Sequence, residues 1–277
     1  MDRFDASDTF LAERQVVHFR DQRRNSTNRN TSDSSDLDRR TDEAERLLRR
    51  IATHHVPAVF ASSFGAEDMV LIDMIARNAL RIRLFTLDTG RLPEETHTLI
   101  ERTRERYALP VDIFTPDARL LQTFVRENGV NAFYRSTELR KSCCAVRKTE
   151  PLKRALVAKG AWITGLRRAQ AVTRQNVPLE EFDAVHGLPK FNPLAEWGDD
   201  DVWSYLRTHN VPYNALHDRG FPSIGCAPCT RAVKAGEDIR AGRWWWEAPE
   251  HKECGLHARP PGIPMRGNDG SAESVPA

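Results

Sequence analysis

The sequence predicts an α/β fold in which a mainly parallel sheet carries helices on both faces. Short apolar runs alternate with longer segments of helical periodicity through the middle of the chain, and this alternation is typical of such folds. The chain has 277 residues, which is long enough to bury a large core around that sheet. Ligands of these folds bind beyond the carboxyl ends of the strands, so the turns that leave the strands are the first places to search for chemistry.

Three pairs of a strand and a helix form the first part of the predicted sheet. The strands are short apolar runs at 58–63, 82–87 and 111–114, and the helices follow at 67–79, 93–107 and 117–127. The first helix places Met69, Ile72 and Ile75 on one stripe. Pro93 and Glu94 favour the start of the second helix, because proline fits the first turn and an acidic side chain stabilises the positive end of the helix dipole.

The second part of the predicted core is less regular. A helix is expected at 145–157, a short strand at 162–164 and a helix at 199–209. The last helix begins with three aspartates and places Val202 and Leu206 four residues apart on one face. Because strands alternate with helices, we expect the sheet to be mainly parallel.

Both ends of the chain depart from this pattern. Residues 1–40 are expected to form a weakly ordered extension, since residues 21–42 contain one large apolar residue, Leu37, among polar and charged side chains. Residues 258–277 are rich in proline and glycine and predict a flexible tail. The folded part is expected at about 41–257, as a main domain at 41–230 and a mobile segment at 231–257.

The composition excludes several classes of protein. The 41 basic and 39 acidic residues leave a net charge of +2, which gives no sign of a nucleic-acid binder. No apolar run is long enough to cross a membrane, and the N-terminus lacks the apolar stretch of a signal peptide. Five cysteines, an odd number with two adjacent, argue against a disulfide-stapled secreted protein. We therefore expect a soluble cytoplasmic protein whose thiols stay reduced.

Three of the turns that leave predicted strands could hold a nucleotide. The turn at 62–68 offers small hydroxyl side chains and a glycine at the start of a helix, where backbone N–H groups can bind an anion. An ordinary capping loop is the alternative, and neither the P-loop nor the dinucleotide-binding motif is present. The turns at 87–90 and 165–170 leave other strands, and the second contains arginines, whose guanidinium groups suit phosphate or sulfate. Together the three turns favour one nucleotide-binding crevice.

Four of the cysteines occur in two pairs and predict a metal site. Cys143 and Cys144 are adjacent, and Cys226 and Cys229 form a Cys-x-x-Cys motif. Buried apolar cysteines or a redox motif would explain the second pair but leave the first unexplained. Adjacent cysteines would close a cramped ring on one zinc ion, whereas a [4Fe–4S] cluster takes one thiolate per iron. The spacing therefore favours a [4Fe–4S] cluster over zinc.

The fifth cysteine, Cys254, is predicted to be a nucleophile on a mobile segment. His257 lies three residues further on, and Lys252, Arg240 and Arg243 precede it. Positive surroundings lower the pKa of a thiol and raise the fraction of thiolate. Without these neighbours, an incidental terminal cysteine would be the better interpretation.

Three consecutive tryptophans, residues 244–246, precede that cysteine. Their rings could stack on a base, but tryptophans more often anchor a segment to the body of a protein. We expect anchoring here.

With these residues the sequence resembles the assimilatory adenylyl-sulfate reductases, relatives of the phosphoadenylyl-sulfate reductases. The resemblance covers most of residues 45–257 and includes six motifs in order, at 62–68, 87–91, 143–148, 165–170, 226–229 and 253–257. It implies an adenine-nucleotide α-hydrolase-like fold, a [4Fe–4S] cluster on the four paired cysteines, and Cys254 as the nucleophile.

The resemblance also implies roles for individual residues. The adenosine part of the substrate would be held by Ser62, Gly65, Leu87 and Gly165. The phosphosulfate would be surrounded by Lys148, Arg174, Arg240, Arg243 and His257. The implied reaction reduces adenylyl sulfate to sulfite and AMP in sulfate assimilation and cysteine biosynthesis. An S-sulfocysteine forms on Cys254, and thioredoxin (or glutaredoxin) donates the electrons.

Three alternative functions remain open at this point. The first is a reductase of the 3′-phosphorylated substrate, phosphoadenylyl sulfate. The second is a sulfur-transfer enzyme of the ATP-pyrophosphatase type, whose first turn resembles Ser-Gly-Gly-x-Asp-Ser, whereas this chain has Phe64 and a single glycine there. The third is a zinc-thiolate redox sensor. The oligomeric state also remains open, and a homo-oligomer is one possibility.

Overall fold

The computed structural model describes residues 30–248 and Leu256, without the side chains of residues 30–34 and Val172. Seven α-helices lie in this part of the chain: α1 Asn30–His54, α2 Ala66–Arg77, α3 Glu94–Tyr107, α4 Ala118–Asn128, α5 Thr137–Cys144, α6 Glu150–Ala155 and α7 Asp199–Thr208. Its six strands are β1 Ala58–Ser62, β2 Ile82–Leu87, β3 Val111–Phe114, β4 Ala161–Ile163, β5 Glu180–Asp183 and β6 Leu188–Phe191.

The chain divides into two compact units, residues 1–36 and 37–277. Of the first unit, residues 30–36 are described, and they begin helix α1. The second unit contains the whole sheet and the described residues of the candidate site.

The six strands form one sheet in the order β3-β2-β1-β4-β6-β5. Every neighbouring pair is parallel except β5 and β6, which are antiparallel. From β1 the chain proceeds to one side through β2 and β3, and it then returns to the other side of β1 with β4. The carboxyl ends of β1 and β4 therefore lie at the topological switch point, where open α/β sheets bind ligands.

Apolar side chains of the sheet pack against helices on both faces. On one face Phe60 of β1 contributes to a core with α1, α2 and α7. On the other face Val59, the preceding residue, packs with Trp162 of β4 and Leu152 of α6. Successive side chains of a strand point to opposite faces, so β1 contributes to both cores. The predicted fold, a mainly parallel sheet between helices, is confirmed.

Most of the predicted elements lie within two residues of their observed bounds, but the helix predicted at 145–157 is wrong in detail. Helix α5 and the hairpin of β5 and β6 were not predicted. A π-helical segment, Ala145–Thr149, joins α5 to α6, so a single uniform helix does not form there. Strand β5 is mostly acidic, and β6 contains Pro189 and a buried lysine, which are unfavourable in strands.

Lys190 of β6 is tolerated because two neighbours compensate for its buried charge. Its Nζ lies 3.0 Å from Glu181 Oε1 of the paired strand. It also lies 5.2 Å from the centre of the Trp162 ring. An ion pair and a cation–π contact thus stabilise a buried charge in β6, a strand that the pattern of apolar residues did not predict.

Helix α1 begins at Asn30, within the segment 1–40 that was expected to be weakly ordered. Its later turns bury Ala44, Leu48 and Ile51 against the core, and this stripe stabilises the helix. Residues 1–29 and 258–277 lie outside the described residues, so the expectations for them stay predictions. No helix in the described part combines the length and the apolar composition needed to cross a bilayer.

Candidate functional site

A cavity of about 220 Å³ lies at the carboxyl ends of β1, β2 and β4. The structure brings together at its wall the seven residues predicted to bind substrate, and Lys148 as well: Ser62, Gly65, Leu87, Lys148, Gly165, Arg174, Arg240 and Arg243. Leu256 also lines the cavity, although it is distant in sequence from most of them. Cys254 and His257, on either side of Leu256 in the chain, lie outside the described residues.

The turn between β1 and α2 is held in shape by its own side chains. Ser62 Oγ accepts a hydrogen bond from the Phe64 N–H at 3.1 Å. Asp68 Oδ2 accepts two from Ser63, at 2.5 Å from its N–H and 2.8 Å from its hydroxyl. Gly65 caps α2 without a side-chain hydrogen bond and lines the cavity. The positive end of the α2 dipole therefore lies at the cavity wall, where it favours an anion.

Asp68 also explains the glycine in the turn after β4. A Cβ atom at Gly165 would collide with Asp68 Oδ1, so glycine lets this turn lie directly against the first turn of helix α2. Burial raises the pKa of Asp68 to about 7, and the charge of Glu67 adds to this, although the hydrogen bonds from Ser63 oppose it. The carboxyl group is therefore partly protonated near neutral pH.

The arginines of that turn hold the scaffold together. Arg167 is buried, and its Nη2 lies 2.7 Å from Glu67 Oε1 and 2.6 Å from Asp199 Oδ1. Burial, the largest single effect, would raise the pKa of Glu67, but the charge of Arg167 and the hydrogen bonds from Gln170 and Arg167 together outweigh it, and the pKa is lowered. Arg168 bonds to Glu196 at 3.1 Å. Arg167 therefore joins the beginnings of α2 and α7, and neither Arg167 nor Arg168 lines the cavity.

Four other cations reach the cavity: Lys148, Arg174, Arg240 and Arg243. Arg174 donates to Gln170 Oε1 at 2.6 Å. Arg243 is buried, donates to the Ile224 carbonyl at 3.1 Å, and lies over the Trp244 ring with 4.6 Å between its Cζ and the ring centre. Such a group of positive side chains suits a ligand with two negative groups, such as a phosphate joined to a sulfate.

The paired cysteines line a second, smaller cavity of about 20 Å³. Cys143, Cys144, Cys226 and Cys229 all reach it, and none of these four forms a disulfide. Lys148 lines both cavities and so lies between the larger cavity and the thiols. The π-helical segment after α5 carries this lysine.

Hydrogen-bond partners of the thiols were not predicted from the sequence. Thr89 Oγ1 lies 3.2 Å from Cys226 Sγ. Arg147 lies close enough to Cys143 for its charge to oppose the rise in the pKa of that thiol, and it donates to the Thr89 carbonyl at 2.6 Å. Arg140 hydrogen-bonds to Cys144. The only sequence signal was the basic character of the residues around the cysteine pair, and it could not show which arginine reaches which sulfur.

Arg140 is held by a buried ion pair. Its Nη2 and Nε lie 2.8 and 3.0 Å from the two carboxylate oxygens of Glu247. Its guanidinium also lies over the ring of Trp244, with 4.6 Å between Cζ and the ring centre. Trp244 is buried, so the prediction that the tryptophans anchor their segment is confirmed for this residue.

The four thiols fit a group that is bound through separate thiolates. Burial raises the pKa of Cys143, and it raises that of Cys229 to about 12 with a further contribution from Cys226. Such thiols stay protonated unless a positive group replaces the protons. Among the described residues, no three histidine, cysteine or acidic side chains converge closely enough to bind one metal ion. A cluster that offers each sulfur its own iron suits thiols spread around a cavity.

Comparison with known proteins points to one family. Residues 57–232 match the family model of the phosphoadenosine phosphosulfate reductase domain. The chain is 54% identical over 216 residues to an adenosine 5′-phosphosulfate reductase of Allochromatium vinosum, covering 78% of this chain and 84% of the relative. It is 51% identical over 227 residues to one of Burkholderia cepacia, covering 82% and 91%.

A solved structure shares the fold. It is the phosphate complex of a phosphoadenylyl-sulfate reductase from Candida auris, 25% identical, with a TM-score of 0.59. The match covers 71% of this chain and 96% of the other.

Proposed function

The chain belongs to the phosphoadenosine phosphosulfate reductase family, and from that premise we propose that it reduces adenylyl sulfate to sulfite and AMP. The observation that carries this proposal is the pair of adjoining cavities. One collects the four cations, the other collects four thiols, and Lys148 lines both. The names of relatives about half identical to this chain support adenylyl sulfate as the substrate.

The nucleotide cavity suits the two parts of adenylyl sulfate. The turns at the ends of β1, β2 and β4, with Ser62, Gly65, Leu87 and Gly165, would hold adenosine through backbone groups and small side chains. The phosphosulfate would lie against the cations. Negative charge grows on the phosphate as AMP departs, so Lys148 and the arginines would stabilise the transition state more than the bound substrate.

Cys254 is proposed as the nucleophile, with His257 close to it in the chain. Its thiolate attacks the sulfur of the sulfate group, an S–S bond forms, and the bond between that sulfur and the phosphate oxygen breaks, with its electron pair leaving on AMP. The product is a cysteine S-sulfonate. The position of Leu256 at the cavity supports this role, because it lies two residues after Cys254.

A dithiol protein, thioredoxin or glutaredoxin, is proposed to complete the reaction. One of its thiolates attacks the Cys254 sulfur, and sulfite leaves with the electron pair of the S–S bond. Its second thiol then displaces Cys254, which regains its thiolate while the donor becomes a disulfide. The two electrons that reduce the sulfate sulfur therefore come from the donor.

We further propose that the paired cysteines bind a [4Fe–4S] cluster. The four thiols around one cavity, each buried or half-buried, would be its ligands. When bound, the cluster would supply a fixed charge beside Lys148. Thr89 and Arg140 would orient the ligand sulfurs through their hydrogen bonds, and the charge of Arg147 would favour the thiolate of Cys143.

The Cys254→Ser substitution tests the proposed reaction. Sulfite release from adenylyl sulfate should fall to background, because a serine hydroxyl is not ionised at neutral pH and cannot form the S–S bond. AMP binding and the visible absorbance of the anaerobically purified protein should be unchanged. Turnover by the variant at the rate of the wild-type protein would show that another residue is the nucleophile.

Parallel assays separate the alternative functions. A higher kcat/KM for the 3′-phosphorylated substrate would identify the protein as a phosphoadenylyl-sulfate reductase, the activity named for its Candida auris relative. Release of pyrophosphate from ATP would indicate the sulfur-transfer class. One zinc and no iron in the colourless protein would indicate a thiolate sensor.

A further inference from the structure

His217 lies at the wall of the nucleotide cavity, and the proposed reaction assigns it no role. It begins a short 3₁₀ turn, His217–Arg219, in the loop after α7. Both ring nitrogens are shielded from solvent, and neither makes a hydrogen bond to any described residue. The Phe221 backbone lies close enough to favour the protonated ring, but no hydrogen bond of acceptable geometry forms. A shielded polar group without a partner is costly, so such a group calls for an explanation.

The ring is held in place by aromatic neighbours. The Trp203 ring lies edge-on, with 5.2 Å between the ring centres, and the Tyr213 ring lies at 6.4 Å. These contacts orient the imidazole without using its nitrogens. Burial lowers the pKa of His217, although Glu67, Phe221 and Asp218 oppose the shift. The ring is therefore neutral at neutral pH, with one nitrogen that donates and one that accepts.

The charges near His217 are the opposite of those near the thiols. His217 and Glu67 line both the nucleotide cavity and an adjoining cavity of about 360 Å³. Glu67 and Asp199 share Arg167, so these three side chains together carry one negative charge, and the charged groups that act on His217 itself are the carboxylates of Glu67 and Asp218. Lys148 and Arg243 instead act on Cys229, at the other end. An anionic group of a bound nucleotide is therefore disfavoured beside His217 and favoured beside the thiols.

We infer that His217 is a further substrate-contacting residue, whose neutral ring hydrogen-bonds an uncharged polar group of the bound nucleoside. A ribose hydroxyl or the edge of the base can provide hydrogen-bond partners for the two ring nitrogens, which have none among the described residues. The contact orients the nucleotide, with its nucleoside at Glu67 and its charged groups toward Lys148. This inference rests on the proposed function, because it takes an adenine nucleotide as the ligand.

AMP titration of the anaerobically purified full-length protein tests the inference. The His217→Phe substitution keeps an aromatic ring between Trp203 and Tyr213 but removes both nitrogens. It should weaken AMP binding about tenfold, the size expected for a hydrogen bond lost in a buried site. The His217→Gln substitution, which keeps a donor and an acceptor, should restore affinity to within about threefold of wild type. KM for adenylyl sulfate should rise with little change in kcat.

His209→Phe is the matched control. This half-buried histidine also packs on an aromatic ring, Tyr205, with 4.2 Å between the ring centres, but it does not line either cavity. The AMP affinity of the His209→Phe variant should equal that of the wild-type protein. Equal AMP affinity of wild type and His217→Phe would overturn the inference, as would equal losses in His217→Phe and His217→Gln or in the control. Failure of the wild-type protein to bind AMP would instead overturn the proposed function.

Analogues of AMP identify the contacted group. If His217 contacts a ribose hydroxyl, the 2′-deoxy or 3′-deoxy analogue that lacks it should bind wild type and His217→Phe equally well. If both analogues retain the tenfold difference, the contact is to the base.

Discussion

Residues to which the sequence analysis assigned no role shape the site as much as the predicted site residues do. The buried ion pair of Arg140 and Glu247 holds a guanidinium at Cys144, and Thr89 reaches Cys226. Each joins chain segments that are distant in sequence. The cysteines could be identified by type and spacing, but their partners could not, because an arginine beside a motif has the same pattern whether it faces solvent, a carboxylate or a sulfur.

The raised pKa of a single residue, Asp68, predicts that the free energy of unfolding depends on pH. Its pKa of about 7 in the folded protein exceeds the ordinary value of 3.8, so the folded state keeps a proton that the unfolded state releases. Its contribution to stability is thus fully present below about pH 4 and is lost as the pH rises to about 7. Relative to Asp68→Asn, the wild-type free energy of unfolding should fall by roughly 2 to 3 kcal/mol between pH 5 and pH 8.

Urea denaturation of both proteins at the two pH values measures this difference. Asp112→Asn provides the control, because Asp112 is exposed and pairs with Arg83 at the surface. A constant difference between wild type and Asp68→Asn across the pH range would mean that this carboxyl is ionised throughout.

At the scale of elements, the strands and helices with regular apolar patterns were predictable, and those stabilised by distant contacts were not. Strand β2 was predicted with its observed bounds, since it is a short apolar run interrupted by one exposed arginine, Arg83. Strand β6 was missed because its lysine depends on Glu181 and Trp162. The π-helical segment was also missed, because propensities do not distinguish it from an α-helix.

That π-helical segment leads to a prediction about Lys148. Lys148 lines both cavities, so in the proposed reaction its ammonium group would lie where negative charge develops as AMP leaves. The Lys148→Met substitution keeps the length of the side chain and removes the charge. It should lower kcat/KM for adenylyl sulfate about a hundredfold, the effect of losing one donor that stabilises a transition state, while AMP affinity changes by less.

Steady-state assays should compare kcat/KM for adenylyl sulfate in the Lys148→Met and Lys153→Met variants. Lys153 is exposed on α6, a turn and a half further along, and its substitution should leave kcat/KM near the wild-type value. If the two variants had equal activity, Lys148 would have no part in the reaction.

At the scale of the whole molecule, the order of the strands brings the site together. The return of the chain from β3 to β4, beside β1, opens a crevice between turns that are about a hundred residues apart in sequence. Alternation of strands and helices predicted the sheet, and the motifs predicted which turns would meet. The structure was needed to show which side chains face the crevice. Arg167 donates to the Trp197 carbonyl and does not line the cavity, whereas His217, which belongs to none of the motifs, does line it.

The central claim is that one cysteine captures the sulfate group of adenylyl sulfate. Its most direct test is to incubate the anaerobic protein with substrate labelled with ³⁵S in the absence of any dithiol donor, and then to map the label after proteolysis. We expect one label per chain on the peptide that contains Cys254, with an equal amount of AMP released. Release of AMP with no label on that peptide, or label on another cysteine, would contradict it.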